Sequence, residues 1–237
     1  SAKMLVEGNG MIVQLEGIIN LKNIKFKNLK NIKIDGLNWS GSINAINSSV
    51  KINDVEIISS KGEDAINLVN SQSFINNLEI LDSESDGIDV DFGNLLFTKI
   101  SCIKAFNDCL DTSGATIKGD HLYGVEIGDK LASFGEQSNV NLKNINGSNI
   151  NIGVVSKDSS YVEIDNLEIS NAKIYAAAYI KKFFFGPAEL KINSFKNFSK
   201  IELDKKAVIN AEDNILIVNQ KNIRSNINSN EIGNLLN

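Results

Sequence analysis

Two sets of aspartates are the residues of this chain best suited to chemistry: Asp64, Asp86, Asp108 and Asp129, at intervals of 22, 22 and 21 residues, and Asp89 and Asp111, with Asp91 two residues beyond the first of these. Carboxyl groups held side by side can trade a proton as general acid and base, which is how paired aspartates hydrolyse glycosidic bonds. An oxygen-only cluster can instead hold a hard cation, and calcium tolerates irregular geometry best. Asp89, Asp91 and Asp111 are therefore the expected metal ligands. Lys130 and Lys157 follow the acids by one or two repeats, and either amine could act as a base if its pKa were lowered. The catalytic candidates are Asp89, Asp111, Lys130 and Lys157. Asp91, Phe134, Glu136, Asp158 and Tyr179 are the candidates for holding a sugar chain, with rings for sugar faces and charges for register. The competing expectation is that Phe134 and Tyr179 lie under the segment containing Phe183, Phe184, Phe185 and Pro187.

These residues share a surface only if the chain coils with the same period. Equivalent segments begin at Gly41, Asp64, Asp86, Asp108, Asp129, Asn151 and Ile174, with spacings of 23, 22, 22, 21, 22 and 23 residues. Such a period without a helical pattern between copies predicts an all-β, single-stranded parallel β-helix, a solenoid of about seven or eight coils. Residues one period apart then stack about 4.8 Å apart in columns. The expected core strands include Ile66-Asn67-Leu68, Ile88-Asp89-Val90, Leu110-Asp111-Thr112, Leu131-Ala132-Ser133, Gly153-Val154-Val155 and Ala176-Ala177-Ala178, with the middle residue facing outward. Phe134 and Tyr179 fall in the outward column of Asp91 and Ser113. A second strand about ten residues later places Asp54, Asn77, Asn144 and Asn166 in one register, as a polar ladder along the stack. His121 belongs to that strand, where a structural role is expected.

Stacked carboxylates repel by about 3 kcal/mol per neighbouring pair at an effective dielectric near 20. For Asp64, Asp86, Asp108 and Asp129 the expected relief is a hydrogen bond from backbone N–H groups two or three residues on in their own turn. For Asp89, Asp91 and Asp111 no such donors are expected, which leaves a shared proton, a lysine or calcium.

Across roughly residues 11 to 195, segments such as Ser85-Asp-Gly-Ile-Asp-Val-Asp-Phe92, Asn107-Asp-Cys-Leu-Asp-Thr-Ser-Gly114, Gly128-Asp-Lys-Leu-Ala-Ser-Phe-Gly-Glu136 and Ser156-Lys-Asp-Ser-Ser160 resemble the right-handed parallel β-helix of the pectin-lyase-like superfamily. They are similar to β-helical regions of bacterial secreted or surface proteins, some joined to CotH-like kinase domains. The resemblance implies an extracellular or cell-surface setting. It also implies either a non-catalytic module presenting a polysaccharide- or partner-binding face, or a polysaccharide lyase, epimerase or hydrolase. The lyases of that superfamily use an Arg or Lys base with a calcium-bound acidic sugar, and no Arg lies among these segments. The hydrolases carry a basic motif and a histidine-glycine pair that this chain lacks.

Domain boundaries read as an N-terminal segment 1–10, a β-helix 11–196, capping strands 197–218 and a polar tail 219–237. Ala188 to Phe195 reads as the last regular strand. Ser1 to Met4 reads as a remnant ahead of an excised segment, leaving an upstream signal open. The net charge of −5 and a single arginine, Arg224, argue against nucleic acid. No apolar run is long enough for membrane insertion and no signal-peptide pattern opens the chain. End-to-end or trimeric assembly through exposed edges stays open. Cys102 and Cys109 do not make a disulfide framework in a chain of 237 residues, so free, buried thiols are expected.

Overall fold

The computed structural model describes residues 2–34, 36–195, 201–203, 207–211 and 214–217. Within these residues the chain forms a parallel β-solenoid of about nine turns, without helix. The tail expected over 219–237 lies outside the described residues.

Strand follows strand in register with the coil before. Gly41–Ile58 pairs with Asp64–Val69 and then with Gln72–Ser83, and Asn139–Lys157 pairs along its length with Tyr161–Tyr179, always in parallel. Alternation sends one face of every strand inside. Ile43, Ile66, Ile88, Leu110, Ala132, Val154 and Ala176 make one buried column. Ala45, Leu68, Val90, Thr112, Phe134, Ser156 and Ala178 make the next, and Phe134 is matched by small neighbours above it. Interiors this dense leave no room for large residues in every rung.

Two left-handed corners bend each coil. Asn47, Asn70, Phe92, Gly114, Glu136 and Asp158 have φ between 45° and 61°. So do Ser59, Asp82, Lys104, Glu126, Asn149 and Asn171, between 51° and 61°. Asn and Asp reach this region at least cost after Gly, which accounts for much of the composition. Their side chains also bond from coil to coil: Asn70 donates to Asn47 at 2.7 Å and Asn171 to Asn149 at 2.7 Å. The expected ladder on the second strand is present, with Asn77 donating to Asp54 at 3.1 Å and Asn166 to Asn144 at 3.1 Å. His121 stands in that column beside Asn144 and Lys99, and is exposed.

Parallel pairing runs on at both ends. Met4–Glu7 already pairs in parallel with Ile24–Lys27, so pairing begins ahead of residue 11. Ile201–Leu203 continues the column of Ala176 to Ala178, and Val208–Ala211 pairs in parallel with Glu189 to Ile192, so both extend the coil beyond Phe195. Asn214–Ile217 then pairs antiparallel to Val208–Ala211, reversing the direction there.

Cys102 and Cys109 are joined in a disulfide, contrary to the free thiols expected. Counting cysteines excludes a framework of several bridges but says nothing of one local bridge. Asn94–Ala105 leaves Cys102 on an inward column, and the turn over residues 106 to 108 brings Cys109 back to a Cα separation of 5.8 Å. Both are fully buried. Protein unfolded in denaturant without reductant should therefore yield no free thiol, and the double replacement Cys102→Ala, Cys109→Ala should cost about 2–3 kcal/mol through lost chain constraint. Two reactive thiols in unreduced, unfolded protein would contradict the bridge.

Candidate functional site

The acids stack as the period requires, with one shift of register. Gly41, Asp64 and Asp86 form the first column, which continues through Asp108 to Lys130, Ile152 and Ile174. Lys130, not Asp129, thus takes the fourth place. The two coils keep a 22-residue register, with Ile103 opposite Val125 and Leu110 opposite Ala132, one residue more than the interval from Asp108 to Asp129; the irregularity between Ile127 and Lys130 is against the coil that follows. A buried amine consequently caps a row of three carboxyls.

Lys130 is among the largest fully buried side chains of the molecule. Its Nζ donates to Asp108 Oδ1 at 3.0 Å and to Asp129 Oδ2, and its main-chain N–H reaches Asp108 Oδ1 at 2.9 Å. Burial works against the charged amine, but Asp108 and Asp129 outweigh it and hold the amine above its ordinary range. One rung below, Asp86 Oδ1 accepts from the Asp108 N–H at 2.6 Å and from Asn107 Nδ2 at 2.7 Å. Asp86 and Asp108 thus take amides of the next coil, not of their own turn as had been expected, because these carboxyls point along the column toward their successors. Asp64 instead accepts from Asn67 Nδ2 of its own coil at 3.2 Å. Burial still pushes Asp64 to about 6, Asp86 to about 8, with help from Asp108, and Asp108 to about 6.

On the outward side Asn44, Asn67, Asp89, Asp111, Ser133, Val155 and Ala177 form one column. Asp89 and Asp111 are direct neighbours with different surroundings. Burial first, then the charges of Asp111 and Asp91, push Asp89 up to about 9. Burial also raises Asp111, but the amines of Lys157 and Lys130 overcome it and hold Asp111 below the usual carboxylate range. Lys157 Nζ lies 3.5 Å from Asp111 Oδ1 and 2.8 Å from Ser133 Oγ. Its chain bends back across Gly135, where a Cβ would stand 2.6 Å from Lys157 Cε, so any side chain at 135 would displace the lysine. Two adjacent carboxyls whose environments drive their ionisation apart are the arrangement that lets one donate a proton while the other accepts.

Asp91, Ser113, Lys157 and Tyr179 occupy the neighbouring outward column, with Gly135 between Ser113 and Lys157. Tyr179 thus has the expected register but is buried. Phe134 corrects the expectation. The regular register with the preceding coil turns it inward, opposite Thr112 and Ser156, where it is fully buried. Asp158 is also buried and faces no ligand surface: its Oδ1 accepts the main-chain N–H groups of Lys181 at 2.6 Å and Lys182 at 2.7 Å. Glu136 pairs with Lys182. These two acids, placed as sugar contacts from sequence, hold the loop 180–187 over the end of the acid row.

Phe92 was not anticipated. It occupies a left-handed corner, φ 54°, in a column otherwise of Asn, Gly, Glu and Asp, and is 63% exposed beside Asp91 and Ser113. Its ring lies across Gly114, where a Cβ would come within 2.9 Å of it. A bulky residue in this backbone region is strained. The clue in sequence was a single Phe among corner asparagines. Among the described residues, no group of three Asp, Glu, His or Cys side chains is gathered in a way that could hold a metal ion.

The raised carboxyls set the pH dependence. Asp64, Asp86 and Asp89 keep protons in the folded state that the unfolded chain releases near pH 4, so their contribution is complete below that value and is lost as pH rises through about 6, 8 and 9. Asp111, held low, works in the opposite sense and loses its contribution only in acid. The melting midpoint should fall between pH 5 and 9.5 by on the order of 5 °C, and Asp89→Asn should flatten the alkaline part of that fall. A midpoint independent of pH over this range would refute the assignment. Compared with known proteins, the chain matches no family model, no curated protein and no solved structure.

Proposed function

We propose that this chain is a β-solenoid module of a secreted or cell-surface bacterial protein that binds a polysaccharide along the outward strand of Asp89 and Asp111. The single observation behind this reading is the Phe92 ring, held exposed over Gly114 at the margin of the acid row. Beyond its contact with Gly114 the ring stays largely in solvent, and a flat apolar ring beside Asp91 and Ser113 offers a sugar both a stacking face and hydrogen-bonding partners. The buried disulfide is consistent with an oxidising compartment. A partner protein on the same face is the competing occupant.

A second reading is favoured by the opposed ionisation of Asp89 and Asp111. In a polysaccharide-active enzyme, protonated Asp89 would act on the leaving oxygen and Asp111 as base or nucleophile, with Lys157 keeping Asp111 charged. Calcium carries no step in either reading. To bind at Asp111 it would have to displace Lys157, so we expect at most weak binding.

Affinity electrophoresis against a panel of soluble polysaccharides should retard the protein with at least one polymer, and Phe92→Ala should weaken that binding about tenfold, the upper end of a stacking contribution. The module reading fails if no polymer is bound, or if Phe92→Ala changes nothing. Release of reducing or unsaturated ends from the bound polymer, lost in both Asp89→Asn and Asp111→Asn, would establish the enzymatic reading; binding without turnover would remove it. Millimolar calcium should leave the melting midpoint almost unchanged, and a rise of several degrees would restore the cation site.

A further inference from the structure

Neither sugar binding nor proton transfer at Asp89 and Asp111 employs Lys130, a fully buried amine. Its Nζ touches two carboxyl groups at once, Asp108 Oδ1 at 3.0 Å and Asp129 Oδ2, and all three side chains are at most 2% exposed. The main chain fixes Lys130 against this neighbour: the Lys130 carbonyl accepts from the Cys109 N–H at 2.9 Å, and the Lys130 N–H donates to Asp108 Oδ1 at 2.9 Å. Asp129 Oδ1 is buried and has no hydrogen-bond partner among the described residues. Its lone pairs are free to take a proton.

One ammonium between two carboxylates would leave a net negative charge sealed from water, which is costly, so one of the two carboxyls keeps a proton. Burial pushes Asp108 to about 6, which makes Asp108 that acid. Asp108 Oδ1 already accepts two donors, so the proton sits on Oδ2. Burial opposes the charged amine, while Asp108 and Asp129 hold its proton in place. That proton therefore has a carboxylate to move to and need not enter solvent. An amine, a carboxylic acid and a proton acceptor in mutual contact, shielded from water, are the components of an amide condensation.

We infer that Lys130 and Asp108 join in an intramolecular amide bond, a self-made covalent clasp between successive coils, with Asp129 as the base. The ammonium passes one proton to Asp129 Oδ1, and the freed lone pair bonds to Asp108 Cγ while charge gathers on Oδ1 beside the Lys130 N–H. The bond from Cγ to Oδ2 then breaks, and Oδ2 leaves as water with its own proton and a second from the nitrogen. The products are an amide, one water and a neutral Asp129, so atoms and charge balance. Nothing is oxidised or reduced, and no cofactor enters. Exclusion of water opposes the reverse reaction. The bond spans 22 positions of chain, and Lys157 stays free to hold Asp111 ionised.

Mass spectrometry of the whole chain, reduced and denatured, should give a mass about 18 Da, one water, below that of its sequence. Trypsin should then leave Lys130 uncleaved and yield residues 105–118 joined to 119–143, with fragment ions that place the link between Asp108 and Lys130. Asp129→Asn keeps the shape of the site but takes no proton, so that variant should show the full mass of its sequence, as should Lys130→Met. If Lys130→Met fails to fold, the linked peptide of the unaltered chain still decides. A full sequence mass for the unaltered chain, cleavage at Lys130, or a water loss that maps elsewhere, such as a cyclic imide at Asp86-Gly87, would overturn the clasp. A link formed just as fully in Asp129→Asn would overturn the assignment of the base.

Discussion

Each coil must lie about 4.8 Å above the one before it, and that spacing decides which side chains live together. For apolar residues the rule is harmless: Ile66 meets Ile88, and Ile88 meets Leu110. Amides profit, because Asn donates to Asn one coil away. For carboxylates the same spacing is a conflict, since a repulsion of about 3 kcal/mol exceeds what one hydrogen bond, about 1 kcal/mol net, can offset. The chemistry of the site is the set of ways in which this conflict is resolved.

Three resolutions occur within four rungs. Asp86 and Asp89 keep their protons, with pKa values of about 8 and 9. Lys130 enters the column itself and pairs with both Asp108, one coil before, and Asp129 beside it. Lys157, from two coils away, folds over the bare backbone of Gly135 to reach Asp111. The outcome is a neutral acid beside an ionised one on an accessible strand. Buried ion pairs contribute little net stability over apolar packing, so the cluster of Lys130, Asp108 and Asp129 resolves the charge conflict rather than adding to stability.

Period and alternation carried most of the fold and part of the site. The spacing from Asp64 to Asp86 to Asp108 was enough to stack Asp89 on Asp111 and to place the Asn77 and Asn166 ladder. What the period could not carry was a local slip. The 21-residue interval from Asp108 to Asp129 aligned the motif one residue away from the structural register, in which Leu110 faces Ala132, and one position decides whether Phe134 faces water or core. Contacts made by the long loop were equally hidden. Asp158 reads as a surface charge until the chain returns at Lys181 to cover it, and Cys102 meets Cys109 only because the intervening turn closes inward.

Direct observation of the carboxyl groups is the most incisive check. Carbon-13 carboxyl shifts of aspartate-labelled protein, followed from pH 3 to 10 and assigned with Asp89→Asn and Asp111→Asn, report each ionisation separately. Stacking on adjacent coils predicts that Asp89 remains protonated at pH 7 while Asp111 is already charged below pH 4. Both groups titrating together near pH 4, as isolated exposed aspartates do, would contradict the account.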